Sequence, residues 1–295
     1  MFTATFLNYL EYEKRYSKHT ITAYANDLSQ FAIFLSDTYK ISNISDASHL
    51  HIRSWMVNMM EQNISPRSVN RKITCLKSYY KFLLKQEQIS VSPMIRVQTP
   101  KNAKRLPVFV EESKMDNLFD NVQFGEGFSC KRDKLILEVF YLTGMRLSEL
   151  INISENDVDL HSCCVKVKGK RNKERIIPFT NVMKKLIEEY LLLKKITFSL
   201  LDNNIFFVTD NGKQMYTTFV YRKVKAYLEQ VTTIDKKSPH VLRHTFATHM
   251  LNHGADINAI KEVLGHANLS ATQVYTHNTI EKLKSVYLQA HPRGD

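Results

Sequence analysis

His240 and Arg243 stand three residues apart in the run Ser-Pro-His-Val-Leu-Arg-His-Thr-Phe at positions 238–246. Ser238 suits an N-cap, Pro239 a first helical turn and Gly254 a C-terminal stop, so the run opens a helix that buries Leu242, Phe246 and Met250. The spacing brings His240 and Arg243 to a different face near the helix N-terminus, where unpaired N–H groups and the helix dipole favour an anion. Three further segments carry polar side chains of the same chemical register. Arg146 follows Thr-Gly-Met at a helix-to-helix junction, Lys170 lies in the basic turn 169–175, and His266 follows Leu-Gly, with Tyr275 nine positions later.

Together these residues suit phosphodiester transfer. That reaction needs a nucleophile, positive charge on a pentacovalent transition state and a proton for the leaving oxygen. Arg146 and Arg243 provide fork-shaped donors for the non-bridging oxygens, and Lys170 a general acid. His240 and His266 can hydrogen-bond the phosphate or handle the tyrosine proton, and Tyr275 can attack phosphorus and later leave again. Each residue taken singly has a plainer explanation: Tyr275 is one of 14 tyrosines, the histidines could be structural, Arg146 could pair with Glu149 at the surface, and Lys170 could serve solubility. The weight lies in the combination.

The elements that must position these groups fall into two stretches. A chain of 295 residues with 43% hydrophobic content suggests two domains with real cores. All eight glycines lie from Gly125 onward, and the preceding stretch has helical apolar spacing, with Ile21, Tyr24, Leu28, Phe31 and Leu35 on one face of residues 20–35. Ser65 and Pro66 begin another helix, which places Val69, Ile73, Leu76, Tyr80 and Leu83 inward. No acidic residue falls between Gln62 and Gln86, and Arg67, Arg71, Lys72, Lys77 and Lys81 are candidate phosphate contacts there. A solvated basic face is the plainer alternative. Residues 97–108, with two prolines and three basic residues, suit a linker. Beyond it, 163–168 and 175–179 alternate like paired strands joined by a turn at 169–172, and 204–208 suits one more short strand. The expectation is a mainly α protein: a helical N-terminal domain over 1–96, a linker over 97–108, and over 109–295 a mostly α domain with a small antiparallel sheet.

The net charge of +12 favours a polyanionic partner. There is no apolar run long enough for a membrane span and no signal-peptide pattern at the start, and the four cysteines lack metal-ligand spacing, which together suggest a cytoplasmic protein. Neither a P-loop nor a carboxylate cluster for two metals is evident.

In order and spacing, Arg146, Lys170, His240 with Arg243, His266 and Tyr275 resemble the catalytic set of the tyrosine recombinase family, most closely its Xer-type members. The resemblance extends to the helical N-terminal part, the basic helix from Pro66, the Pro-Lys-Asn-Ala-Lys-Arg-Leu-Pro stretch and the tail 283–294. It implies site-specific cleavage and rejoining of double-stranded DNA through a 3′-phosphotyrosine at Tyr275, without ATP or metal. It also implies a homotetramer, or a heterotetramer with a second recombinase, on two synapsed sites, with the tail packed into a neighbouring protomer. Tyr275 is expected on a segment that can move in and out of line with the phosphate. Arg171 stands where members often have glycine, and Asn152 where an apolar or small residue is common. The same catalytic set also allows type IB topoisomerase-like relaxation, and a catalytically silent DNA-binding protein is a third possibility.

Overall fold

In a computed structural model, residues 2–101, 108–169, 174–198, 204–265, 286 and 289–293 are described below. The chain divides into two compact units between residues 105 and 106.

The N-terminal unit is helical: α1 (Phe2–Asn8), continued by a π-helical turn, then α2 (Lys18–Tyr39), α3 (His49–Glu61) and α4 (Pro66–Lys85). Ser17 caps α2 by accepting from the Thr20 N–H, and Ser65 caps α4 by accepting from Ser68, one residue before the Pro66 that needs no partner. The inward faces of these helices meet in one core, in which Leu28, Phe31, Leu35, Trp55, Ile73, Leu76 and Tyr80 are buried. The Tyr80 hydroxyl donates to the Ile44 carbonyl at 2.6 Å, so its polar end is satisfied inside. Val97 belongs to this core and Asn70 donates to the Pro100 carbonyl at 2.9 Å, so the first residues of the 97–108 stretch are held by the N-terminal unit.

The C-terminal unit contains α5 (Glu112–Asp120), α6 (Phe128–Thr143), α7 (Leu147–Ile151), β1 (Val158–Asp159), β2 (Cys164–Lys168), β3 (Glu174–Pro178), α8 (Asn181–Thr197), α9 (Thr217–Val231), α10 (Pro239–Asn252) and α11 (Ile257–Leu264). The sheet has order β1-β2-β3, both pairs antiparallel, with Val165 opposite Ile177 and Lys168 opposite Glu174. The short β1 was not foreseen from the sequence. Residues 204–208 do not form the expected strand: Ile205 bridges Ser154 and Val208 bridges Gln214, two isolated pairs with different partners that cannot build a ladder. Helix α6 is buried almost all round and packs against α8 and α10. Residues 290–293 lie on this chain's own α5 and α6, where buried His291 bonds the Tyr141 carbonyl at 3.1 Å and Arg293 grips Asp120 at 2.9 and 3.1 Å. The expected trans packing of the tail, over 283–294, falls largely outside the described residues.

No helix among the described residues is long and apolar enough to cross a membrane.

Candidate active site

Helix α6 ends at Gly144, whose φ of +58° suits a left-handed C-cap. A methyl group there would lie 2.5 Å from Phe246 and 2.7 Å from Leu264, so glycine also lets α10 and α11 approach the turn. Two residues on, Arg146 is the N-cap residue of α7. Its backbone N–H donates to one carboxylate oxygen of Glu149 and its Nη1 to the other, both at 2.7 Å. The pairing of Arg146 with Glu149 is real, but it is no surface pair, because only 4% of Glu149 is exposed.

A second arginine meets the same carboxylate. Arg175, buried on the inward side of β3, donates Nη1 and Nη2 to the two oxygens of Glu149 at 2.8 and 2.9 Å. Burial alone would raise the Glu149 pKa; the hydrogen bonds and charge of Arg175, then the backbone and side-chain hydrogen bonds of Arg146, overcome it and bring the value down to about 2.

Arg243 projects from α10 into the same region and is buried. Its Nη1 donates to the Gly144 carbonyl at 2.6 Å and its Nη2 to the Leu264 carbonyl at 2.7 Å. Arg175 Nε donates to Val263 O at 2.6 Å, and Arg146 Nη2 to Gly265 O at 3.0 Å. Three arginines from three elements therefore donate to three consecutive carbonyls at the C-terminus of α11, where a helix leaves acceptors unpaired and its dipole is negative. Burial, followed by repulsion from Arg146 and Arg175, lowers the Arg243 pKa to about 10, with Glu149 opposing. Arg243 remains cationic at neutral pH. A guanidinium has five N–H donors and the bonds named use two from Arg243, so capacity remains for a phosphate oxygen.

Ser238 caps α10 as expected, accepting from the Val241 N–H, and Leu242, Phe246 and Met250 are buried. His240, in the first turn, is exposed, and its Nε2 lies 3.1 Å from Nε2 of His244 one turn on. His240 and Arg243 thus occupy different surroundings on α10: one at the surface, the other in the arginine cluster. Lys170, His266 and Tyr275 lie outside the described residues, as does the segment expected to move Tyr275. The chain enters and leaves 170–173 from β2 and β3, and it runs into 266 directly from the arginine-capped end of α11.

The sequence reading did not single out Glu149 or Arg175 for the site. The signal for Glu149 was its i, i+3 spacing from Arg146; for Arg175 it was a cation on the inward-facing phase of a strand, between Glu174 and Ile176, where an apolar residue would be ordinary.

On the basic helix α4, Arg67, Lys77 and Lys81 are exposed. Arg71 is half exposed and holds both oxygens of the buried Asp27. Lys72 corrects the expectation of a phosphate contact. It is buried, with Nζ bonded to Asp27 at 3.0 Å and Gln30 at 2.5 Å, because its position falls on the inward phase of the helix. Among the described residues no cluster of His, Cys, Asp and Glu is arranged to hold a metal ion.

The model of the Phage integrase family matches residues 109–282, and that of the Phage integrase N-terminal SAM-like domain matches residues 4–87; the chain belongs to the phage integrase family. Its relatives include Tyrosine recombinase XerC of Chlorobaculum tepidum, 37% identical over 98% of this chain and 94% of that protein. Tyrosine recombinase XerC of Bacillus subtilis is 35% identical over 99% and 97%. In fold, the chain resembles the XerH site-specific recombinase in a post-cleavage complex (TM-score 0.72, 20% identity, 90% of this chain and 78% of that one). It also resembles the Tn1549 transposon integrase (TM-score 0.70, 19% identity, 97% and 99%). With relatives of this kind along nearly its whole length, it is a site-specific tyrosine recombinase of the Xer type, an enzyme that transfers DNA strands.

Proposed function

We propose that Tyr275 is the nucleophile and that the scissile phosphate sits on Arg146 and Arg243. The observation that supports this reading most directly is the convergence of those two guanidiniums, 97 positions apart in the chain, on adjacent carbonyls at the end of α11. The Tyr275 phenol oxygen bonds to phosphorus, the bond to the 5′ oxygen breaks, and Lys170 supplies that oxygen with a proton. His240 and His266 bond the phosphate or take the phenol proton. A free 5′ hydroxyl of the partner strand then attacks the 3′-phosphotyrosine and restores the tyrosine. Because the linkage conserves bond energy, the reaction needs neither ATP nor metal.

The N-terminal helical domain, joined through the stretch 97–108 to the catalytic domain from 109, clasps duplex DNA with Arg67, Lys77 and Lys81 on phosphates. Arg71 can contribute while it holds Asp27. Four protomers, alone or with a second recombinase, act on two copies of a specific site in the cytoplasm. The similarity to Xer-type relatives suits chromosome-dimer resolution, with mobile-element integration or inversion as the other outcomes of the same chemistry.

The test uses nicked suicide duplexes pooled from host candidate sites, incubated in EDTA with wild type and Tyr275→Phe. A denaturation-resistant adduct that maps to Tyr275 and is lost in the variant is the expected result. An adduct on another residue would overturn the assignment.

A further inference from the structure

We infer that Arg175 is a positioning residue of the strand-cleavage reaction, acting through Glu149 and the end of α11 on the phosphate-binding arginines. The inference rests on the reading of Arg146 and Arg243 as the phosphate clamp. Arg175 contacts no reacting atom in that reading. It instead fixes both parts that the clamp leans on.

Three observations carry this. First, Arg175 spends its planar fork on both oxygens of Glu149, at 2.8 and 2.9 Å, and Glu149 in turn orients Arg146 through two bonds of 2.7 Å. Secondly, Arg175 Nε donates to the Val263 carbonyl at 2.6 Å, next to the two carbonyls that accept from Arg243 and Arg146. The same side chain therefore sets the height of α11 against both clamp arginines. Thirdly, α11 ends on a glycine packed against this side chain: a methyl group on Gly265 would lie 3.1 Å from Arg175 Cδ and 3.2 Å from its Nη1, tighter than an ordinary contact. Gly265 also has a φ of +64°, so the chain turns there, against the Arg175 guanidinium, immediately before His266. Arg175 commits all three of its guanidinium nitrogens to Glu149 and Val263. A lysine at this position keeps the charge and cannot make the three-point contact.

Among the described residues, the side-chain hydrogen bonds of Arg175 run to Glu149 and to the end of α11. That direction makes the inference separable from a general-acid effect. A substrate with sulfur in place of the scissile 5′ oxygen releases a thiolate that needs no proton, so it bypasses the general acid but still requires the clamp.

The experiment compares wild type and Arg175→Lys in single-turnover cleavage of nicked duplexes with the ordinary and the sulfur leaving group, alongside DNA affinity and thermal unfolding. The expected result is unchanged DNA affinity, a cooperative melt, and cleavage slower by roughly 10²-fold on both substrates, the size that a displacement of about 1 Å produces. Wild-type cleavage by Arg175→Lys, or restoration by the sulfur substrate, would overturn the inference. If Arg175→Lys does not fold, Gly265→Ala presses on the same contact from α11 without removing charge. It is expected to slow cleavage on both substrates with binding intact, and a wild-type rate there would equally overturn the inference. Failure of the wild-type enzyme to form an adduct at Tyr275 would instead count against the functional assignment itself.

Discussion

Replacing Glu149 by glutamine removes the carboxylate shared by Arg146 and Arg175, and its cost can be worked out in two ways. Glu149 is 4% exposed and receives Arg175 bidentately and Arg146 twice, so the variant leaves a buried guanidinium facing an amide that is half donor. Breaking a buried ion pair from one side costs about 3–5 kcal/mol. Independently, ionisation of Glu149 is favoured in the fold because its pKa falls from 4.5 to about 2. At about 1.4 kcal/mol per pH unit that corresponds to roughly 3 kcal/mol. The sign follows from the direction: a depressed folded pKa gives stability that is complete above about 4.5 and is lost as pH falls towards 2. The expected outcome is a C-terminal unit weaker by about 3 kcal/mol at pH 7, a large share of a typical 5–15 kcal/mol, with the gap to wild type narrowing below pH 4.5. The assay is urea unfolding followed by hydrogen exchange in peptides of α7, β3 and α11. The single tryptophan, Trp55, lies in the core of the N-terminal unit and serves as an internal control whose fluorescence transition should not move. A C-terminal unit within about 0.5 kcal/mol of wild type at pH 7 would refute the view of Glu149 as a buried electrostatic hub.

Three other outcomes are expected. Gly144→Ala forces a methyl group to within 2.5 Å of Phe246 in a left-handed turn, and should destabilise the C-terminal unit by about 1–3 kcal/mol in the same urea assay. Ser238→Ala removes the cap of α10 and should cost about 1 kcal/mol, with the largest loss of exchange protection at Val241 and the residues after it. Lys81→Ala should weaken DNA binding on any sequence and lower the slope of log affinity against log salt by about 0.9, whereas Lys72→Ala should leave the slope unchanged and instead cost about 1–3 kcal/mol of N-terminal stability, read from Trp55 fluorescence.

The contrast between Lys72 and Lys81 shows where the sequence was legible. Helical period and the Ser-Pro starts located α4 and α10 and their buried stripes, because local capping and apolar spacing decide those features. A run of cations carries no mark of which of them meets a buried acid 45 positions away, so Asp27 and its claim on Lys72 were invisible. The strand pair β2–β3 was legible from alternation, while 204–208 misled because a short apolar run between bridges has a strand's composition without a ladder. Residue types singled out Arg146 and Arg243, which the fold brings to one cluster, yet Arg175 passed for one more charge in a basic turn. Its role depends on Glu149 and Val263, 26 and 88 positions distant, and only the folded chain brings those together.

The charge balance of that cluster bears on why an enzyme would keep it. Arg146, Arg175 and Arg243 bring three positive charges and Glu149 returns one, so the described cluster carries an excess of two, held in part by carbonyl dipoles at the end of α11. Burial first, and then the charges of Arg146 and Arg175, lower the pKa of Arg243, so its two arginine neighbours disfavour its cationic form. A phosphodiester carries one negative charge, and the phosphorane formed when a deprotonated tyrosine attacks it carries two. Under the proposed placement of the scissile phosphate on Arg146 and Arg243, an excess of two would match the charge reached at the transition state better than the charge of the substrate. Glu149 fits this account as the residue that limits the excess. Without it Arg175 would add a third unbalanced charge, at a buried position that no phosphate oxygen need reach.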